Sequence, residues 1–129
     1  MKPKFRAWLK EEYRMTDVNE ITFIDGEVYL ISDVTGFYAY EEFKLMQSTG
    51  LRDKNGKEIF EGDIVKYKSK KGTFTDIATY SKFYAFFGLK DDTGDLICSF
   101  DWLLENVGKD GFEVIGNIYE NPELLEGEE

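Results

Sequence analysis

The chain has 129 residues, 26 Asp+Glu against 16 Lys+Arg, a net charge of -10 and 42% hydrophobic residues. This bounds it to one domain or two very small ones, with enough apolar matter to bury a core. One cysteine, Cys98, and no histidine exclude internal disulfides, CxxC zinc sites, His-ligated metals and Ser-His or Cys-His nucleophile pairs.

In chain order, Lys4 to Leu9 alternates partly between apolar and charged residues and predicts an opening strand. Residues 21–24 and 27–31 flank Asp25-Gly26, a hairpin signature, because Asp-Gly supplies the positive φ angles of a two-residue primed turn. Thr35-Gly36 ends that element, and residues 40–46 fit either a short helix or an extended bridge. Asn55-Gly56 marks a second turn, and Glu61-Gly62-Asp63 another ahead of Ile64. From Ile64 the chain places Ile64, Lys66, Lys68 and Lys70 on one strand face and Val65, Tyr67 and Ser69 on the other. Lys71-Gly72 turns it into residues 73–80, residues 83–89 follow, and Asp91 to Gly94 turns it into residues 96–100. Residues 101–107 have the look of a helix, with Asp101 as cap and Trp102, Leu103 and Val107 facing inward. Residues 112–119 make the last strand, ended by Asn121-Pro122.

The expected fold is therefore mainly β. Residues 1–45 form a small N-terminal β-rich unit packed on an SH3-like five-stranded barrel with one short helix in residues 46–119, where closure hides strand edges. Residues 120–129 form an acidic tail expected to fray. No apolar run approaches the roughly 20 residues of a membrane span, and Met1-Lys2-Pro3-Lys4 lacks the apolar stretch of a signal peptide. A soluble, cytoplasmic protein is expected.

Three blocks carry a resemblance: Lys4 to Trp8 (KFRAW), residues 45–51 (LMQSTGL) running on through 53–65 (DKNGKEIFEGDIV), and residues 114–125 (VIGNIYENPELL). Together they resemble the YopX family of phage and prophage proteins, in the family's order and spacing over nearly the whole chain. Residues 15–42 and 69–101 match poorly. The resemblance implies an SH3-type barrel in the C-terminal part, a bacterial or phage origin, and no established catalytic residues to carry over.

The candidate sites start from charge. Residues 15–43 carry seven acidic and no basic side chains, whereas residues 44–71 hold eight Lys/Arg against four Asp/Glu. Lys66, Lys68, Lys70 and Lys71, with Tyr67, Phe74, Tyr80, Phe83 and Tyr84 nearby, form a candidate nucleic-acid surface in which lysines hold phosphates and aromatics stack on bases. The plainer reading is a solvated strand face whose lysines discourage edge pairing, and the net charge opposes long-range attraction to nucleic acid. Glu58, Glu61 and Asp63 offer oxygen ligands for Mg²⁺, and Asp33 followed by Glu42-Phe43-Lys44 imitates a metal-dependent nuclease. The favoured reading has Asp63 closing a turn, with Gly62 supplying backbone freedom. Cys98 reads as a small core residue, and Trp8 and Trp102 as core. Gly116 reads as a point of close backbone approach. The acidic residues 15–43 and 101–129 offer a face for a basic protein, or a DNA-like charge pattern. The expected function is thus non-enzymatic: an accessory protein without cofactor or metal, acting by protein–protein binding or self-association, with no membrane partner. A nucleic-acid-binding barrel is the alternative and a metal-dependent nuclease the third.

Overall fold

Alternating apolar residues and Gly-containing turns make strands along most of the chain. The computed structural model describes residues 4–126 and divides into two units, Met1–Ser48 and Thr49–Glu129. Met1, Lys2 and Pro3, which carry the signal-peptide reading, and residues 127–129 of the acidic tail lie outside the described residues. No helix among the described residues is long and apolar enough to cross a membrane.

The first unit contains β1 (Phe5–Leu9), β2 (Arg14–Asp17), β3 (Glu20–Ile24), β4 (Glu27–Asp33), β5 (Gly36–Ala39) and the first part of β6 (Phe43–Arg52). β1 lies between β2 and β6, antiparallel to both, with Leu9 opposite Phe43 and Ala7 opposite Leu45. Because opposite residues share a face, this register gathers Ala7, Leu9, Ile31 and Phe43 into a core packed by Val18, Ile21, Val28, Tyr38 and Leu45. β3, β4 and β5 form a separate antiparallel meander. Asp25 (φ 53) and Gly26 (φ 81) make the primed turn between β3 and β4, as the Asp-Gly pair predicts. The undecided residues 40–46 divide in two: Tyr40–Glu42 is one 3-10 turn, and β6 begins at Phe43. The Glu42 carboxylate accepts from the Ala39 N–H at 2.9 Å, closing that turn.

The second unit holds β7 (Glu58–Phe60), β8 (Asp63–Ser69), β9 (Gly72–Ser81), β10 (Phe86–Lys90), β11 (Leu96–Ser99), α1 (Phe100–Asn106) and β12 (Phe112–Asn117). Five strands from Asp63 onward, with a short helix before the last, match the expected order. Their closure does not. The sheet runs β11-β10-β9-β8-β12, and no hydrogen-bonded ladder joins β11 to β12 among the described residues, so it is an open sheet and not a closed barrel. The reason lies in α1. β11 stops after four residues, and Phe100 and Leu103 of the helix fill the space between the edges with side chains. They join Ile59, Val65, Tyr67, Ala78, Leu89, Phe112 and Val114 in one core. The outer edge of β12 is met by the Asn55-Gly56 loop instead of a strand: the Phe112 carbonyl accepts from Lys54 N–H at 3.1 Å and the Val114 N–H donates to Asp53 at 2.8 Å.

Two expectations about α1 also change. Its cap is Ser99, whose Oγ accepts from the Trp102 N–H at 3.0 Å, and not Asp101. The cap lies two residues earlier than expected and brings Phe100 into the helix: Phe100, Leu103 and Val107 face the core, and Trp102 is 44% exposed.

Carboxylates tie the loops. Asp53 is 6% exposed; its Oδ1 accepts from the N–H groups of Asn55 and Lys57, both at 2.9 Å, and its Oδ2 from Val114 at 2.8 Å. Burial works against its charge, yet those backbone donors outweigh it and hold the carboxyl below its usual range. The bond to Val114 fastens the Asn55-Gly56 turn to β12. Asp63 closes its turn by accepting from Phe60 N–H at 2.8 Å, and Gly62 has φ 89, so this reading of the residues holds. Gly116 permits a close approach, but of a side chain: a Cβ there would sit 2.5 Å from Asn121 Oδ1. Gly88 meets backbone. Its added Cβ would lie 2.2 Å from the Cys98 carbonyl oxygen on the paired strand. Gly88→Ala must therefore part β10 from β11, and urea denaturation should show a loss of about 1–3 kcal/mol, the usual cost of overpacking.

Candidate functional site

The turn Lys70-Lys71 joins β8 to β9 so that Ser69 pairs with Gly72, Tyr67 with Phe74 and Val65 with Asp76. Opposite residues share a face, so Val65, Tyr67, Phe74, Asp76 and Ala78 all point to the inner side of the sheet. Phe74 lies too near the end of β9 to be covered and is 42% exposed. Between this end of the hairpin, β11 and the start of α1 lies an open groove of about 650 Å³. Phe74, Ile97 and Trp102 form its apolar walls, Tyr67 and Asp76 its floor, and Ser69, Lys71, Cys98 and Ser99 the remainder.

Asp76 is 8% exposed, and the Tyr67 hydroxyl donates to its Oδ2 at 2.7 Å. No described lysine or arginine forms an ion pair with it. Burial pushes the Asp76 carboxyl up, the Tyr67 hydrogen bond opposes this, and Asp91 and Asp92 add to the upward push. The Tyr67 hydroxyl is pushed up in turn, by burial first and then by Asp76. Beside the groove is a second, polar cleft of about 370 Å³, which shares Phe74 and Asp76 and adds Thr73, Thr75, Asp91, Asp92 and Leu125. Asp76 thus faces two concavities.

Comparison with known proteins then identifies the chain. The sequence model of the YopX protein family matches residues 4–126. The chain belongs to the YopX family. The crystal structure of protein EF1440 from Enterococcus faecalis is similar over 98% of this chain and 99% of that one, at 34% identity and TM-score 0.70. Protein yopX from Bacillus subtilis shares the fold, covering 95% and 98% of the two chains at 21% identity and TM-score 0.61. No curated protein matches.

In this YopX-family chain the residues singled out from sequence fall in separate places. Lys66 and Lys68 are exposed on the outer face, opposite Thr75 and Thr73, and Lys66 also faces Glu113 of β12. Lys70 and Lys71 form the turn, and Lys71 reaches the groove. Tyr67 and Phe74 lie on the opposite face from Lys66 and Lys68. Phe83 and Tyr84 cluster with Phe86, at ring-centroid distances of 4.9 and 5.7 Å, in the turn at the far end of β9. Lys66 and Lys68 are therefore set apart from these aromatics, and of the four lysines Lys71 borders the groove with Tyr67 and Phe74.

The carboxylates proposed as metal ligands are likewise apart. Asp33 is 7% exposed. Its Oδ1 accepts from the Thr35 N–H and hydroxyl at 2.7 and 2.6 Å, its Oδ2 from the Thr16 hydroxyl at 2.8 Å and Arg14 Nη2 at 3.1 Å. Glu42 is engaged by Ala39, Lys44 pairs opposite Trp8, and Asp63 is held in its turn. Among the described residues no three His, Cys, Asp or Glu side chains converge as a metal site. Cys98 is half-buried against the core, and burial, then Asp76, pushes its thiol up to about 11.

Reading the sequence passes over Asp76 and Ile97 as site residues, places Phe74 and Tyr67 beside the lysines as stacking aromatics, and assigns Trp102 to the core. One signal was present: the alternation Phe74, Asp76, Ala78 sets a carboxylate on an otherwise apolar strand face, which calls for a partner.

Two of the buried carboxylates, Asp33 and Asp76, give opposite pH responses. Asp33 is held well below its ordinary 3.8, by the Thr35 hydroxyl foremost; its contribution is present above 3.8 and lost as pH falls below it. Asp76 is raised above its ordinary 3.8, so its contribution is present below that value and lost as pH rises through the folded-state pKa. Urea denaturation from about pH 2.5 to about pH 8 should show Asp33→Asn losing part of the acid slope. Asp76→Asn, which keeps an acceptor for Tyr67, should remove the loss on the rising side.

Proposed function

We propose that this protein is a non-enzymatic binding module that takes an extended segment of a partner protein into the groove between β9, β11 and α1. The observation that carries the reading is the convergence of three exposed apolar side chains, Phe74, Ile97 and Trp102, on one concavity with hydrogen-bonding groups at its floor. Single exposed apolar residues are ordinary, but a cluster around a hollow with a few polar groups is the form of a ligand site. Aromatic anchors of this kind supply most of the binding energy in protein interfaces. A non-enzymatic role is supported by the state of the reactive groups. Asp76 is bonded to Tyr67, and the Cys98 thiol stays protonated and weakly nucleophilic near neutral pH.

The groove is preferred to the lysine strand as the binding surface because Lys66 and Lys68 share their face with threonines and Glu113, without an aromatic platform. The family resemblance suggests a phage-derived accessory protein acting in the cytoplasm of its host, and the similar solved structures come from bacteria.

The test is a tagged pull-down from nuclease-treated bacterial lysate, followed by titration of the recovered partner in pure form. Trp102→Ala and Phe74→Ala should each weaken that partner at least about tenfold, and the Lys66→Glu, Lys68→Glu double variant should leave it unchanged. Retention that vanishes with nuclease and follows the lysines would replace this reading with nucleic-acid binding.

A further inference from the structure

If the groove receives a partner segment, the side chain at its floor says which residue that segment must present. Asp76 is a buried carboxylate with one hydrogen bond from Tyr67 and no cation among the described residues. Asp91 and Asp92 lie around the adjoining cleft that shares Asp76, against one lysine, Lys71, on the groove side. The field at the floor is negative, and a charge so buried is costly until a cation meets it. The walls add a second condition. Phe74 and Trp102 expose ring surface to the groove, and the Tyr67 and Phe74 rings lie 5.7 Å apart, inclined at 31°. Aromatic faces attract cations, and a guanidinium suits them better than an ammonium because it is planar, stacks on rings and is more weakly hydrated.

We propose that the groove selects a protein segment bearing an arginine, whose guanidinium lies against Phe74 and Trp102 and pairs with the Asp76 carboxylate. This rests on the reading of the groove as the binding site and adds the chemistry of its occupant. An acidic segment or a nucleic-acid backbone would bring phosphate or carboxylate against Asp76, Asp91 and Asp92. A purely apolar segment would leave Asp76 buried without a counter-charge.

The probe is N-acetyl-arginine N-methylamide, titrated into the isotope-labelled full chain and followed by amide chemical shifts. The comparison probes are the citrulline derivative, a neutral isostere, and the lysine derivative. Shifts should concentrate at residues 67–76 and 97–102. Citrulline should bind at least about tenfold more weakly, as expected for loss of a charge-assisted bond, and lysine should be weaker than arginine. Asp76→Asn should remove the preference for arginine over citrulline; should that variant not fold, the arginine–citrulline comparison on the parent chain decides alone. Equal binding of citrulline or lysine, or shifts scattered over the acidic surface, overturns the proposal. The two readings fail differently. A partner released by Trp102→Ala but indifferent to citrulline at every arginine of its bound segment leaves the groove standing and removes the arginine. A partner indifferent to Trp102→Ala removes the groove as well.

Discussion

The pairing of β8 with β9 across the Lys70-Lys71 turn is the constraint from which the second unit follows. Both strands are interior to their sheet, so their register sets the faces of β10 and β12 as well. A slip of one residue would send Val65, Tyr67 and Ala78 to solvent and bury Lys66 and Lys68. The two-residue turn prevents this by fixing Ser69 opposite Gly72. The same register puts Asp76 on the apolar face, where it is held by Tyr67. Core and groove are therefore consequences of one alignment: deep in the sheet the inner face packs on Phe100, Leu103 and Phe112, and near the turn it is open.

The acidic composition has a structural side. Several carboxylates serve the backbone: Asp33 accepts from Thr35 and Gly36, Asp53 from Asn55 and Lys57, Asp63 from Phe60, and Asp91 from Thr93 and Asp95. Asp side chains are short enough to bond N–H groups two to four residues away, which orders a loop without a core. These side chains are committed to turns as acceptors, and Asp33, Asp53 and Asp91 keep their charge there because their donors favour the ionised form. Asp76 differs from them. Its Oδ2 bond comes from a hydroxyl on the neighbouring strand, and it opens onto concavities.

Failure of the sheet to close goes with an open groove. Had β11 paired with β12, the barrel interior would be sealed and Trp102 would have no groove to border. Instead α1 inserts Phe100 and Leu103 between the edges, burying the centre of the core while leaving the end near Phe74 and Ile97 uncovered. Stability and exposure are thus divided along the strands: the loops fastened by Asp53 and Asp63 hold one part, and the groove lies where such ties give way to aromatic side chains.

Much of this was legible in the residues. Turn chemistry at Asp25-Gly26, Asn55-Gly56 and Asp91 to Gly94 located the hairpins, and period-two alternation marked the strands and set Val65 and Tyr67 on the face opposite Lys66 and Lys68. The three sequence blocks marked the family, because side chains that close turns and pack on one another recur as strings. What local pattern could not carry was which side of a seven-residue helix is covered: Leu103 and Val107 are inward as expected, but Phe100 and not Trp102 completes the buried side. Nor could it carry the meeting of β9 with the contiguous β11 and α1, which follow it only after the whole of β10. Periodicity assigns a residue to a face, because neighbours along a strand alternate by covalent geometry. Whether that face is covered depends on which distant elements arrive to cover it, and only the packed chain decided that Phe74, Ile97 and Trp102 would border one hollow above Asp76.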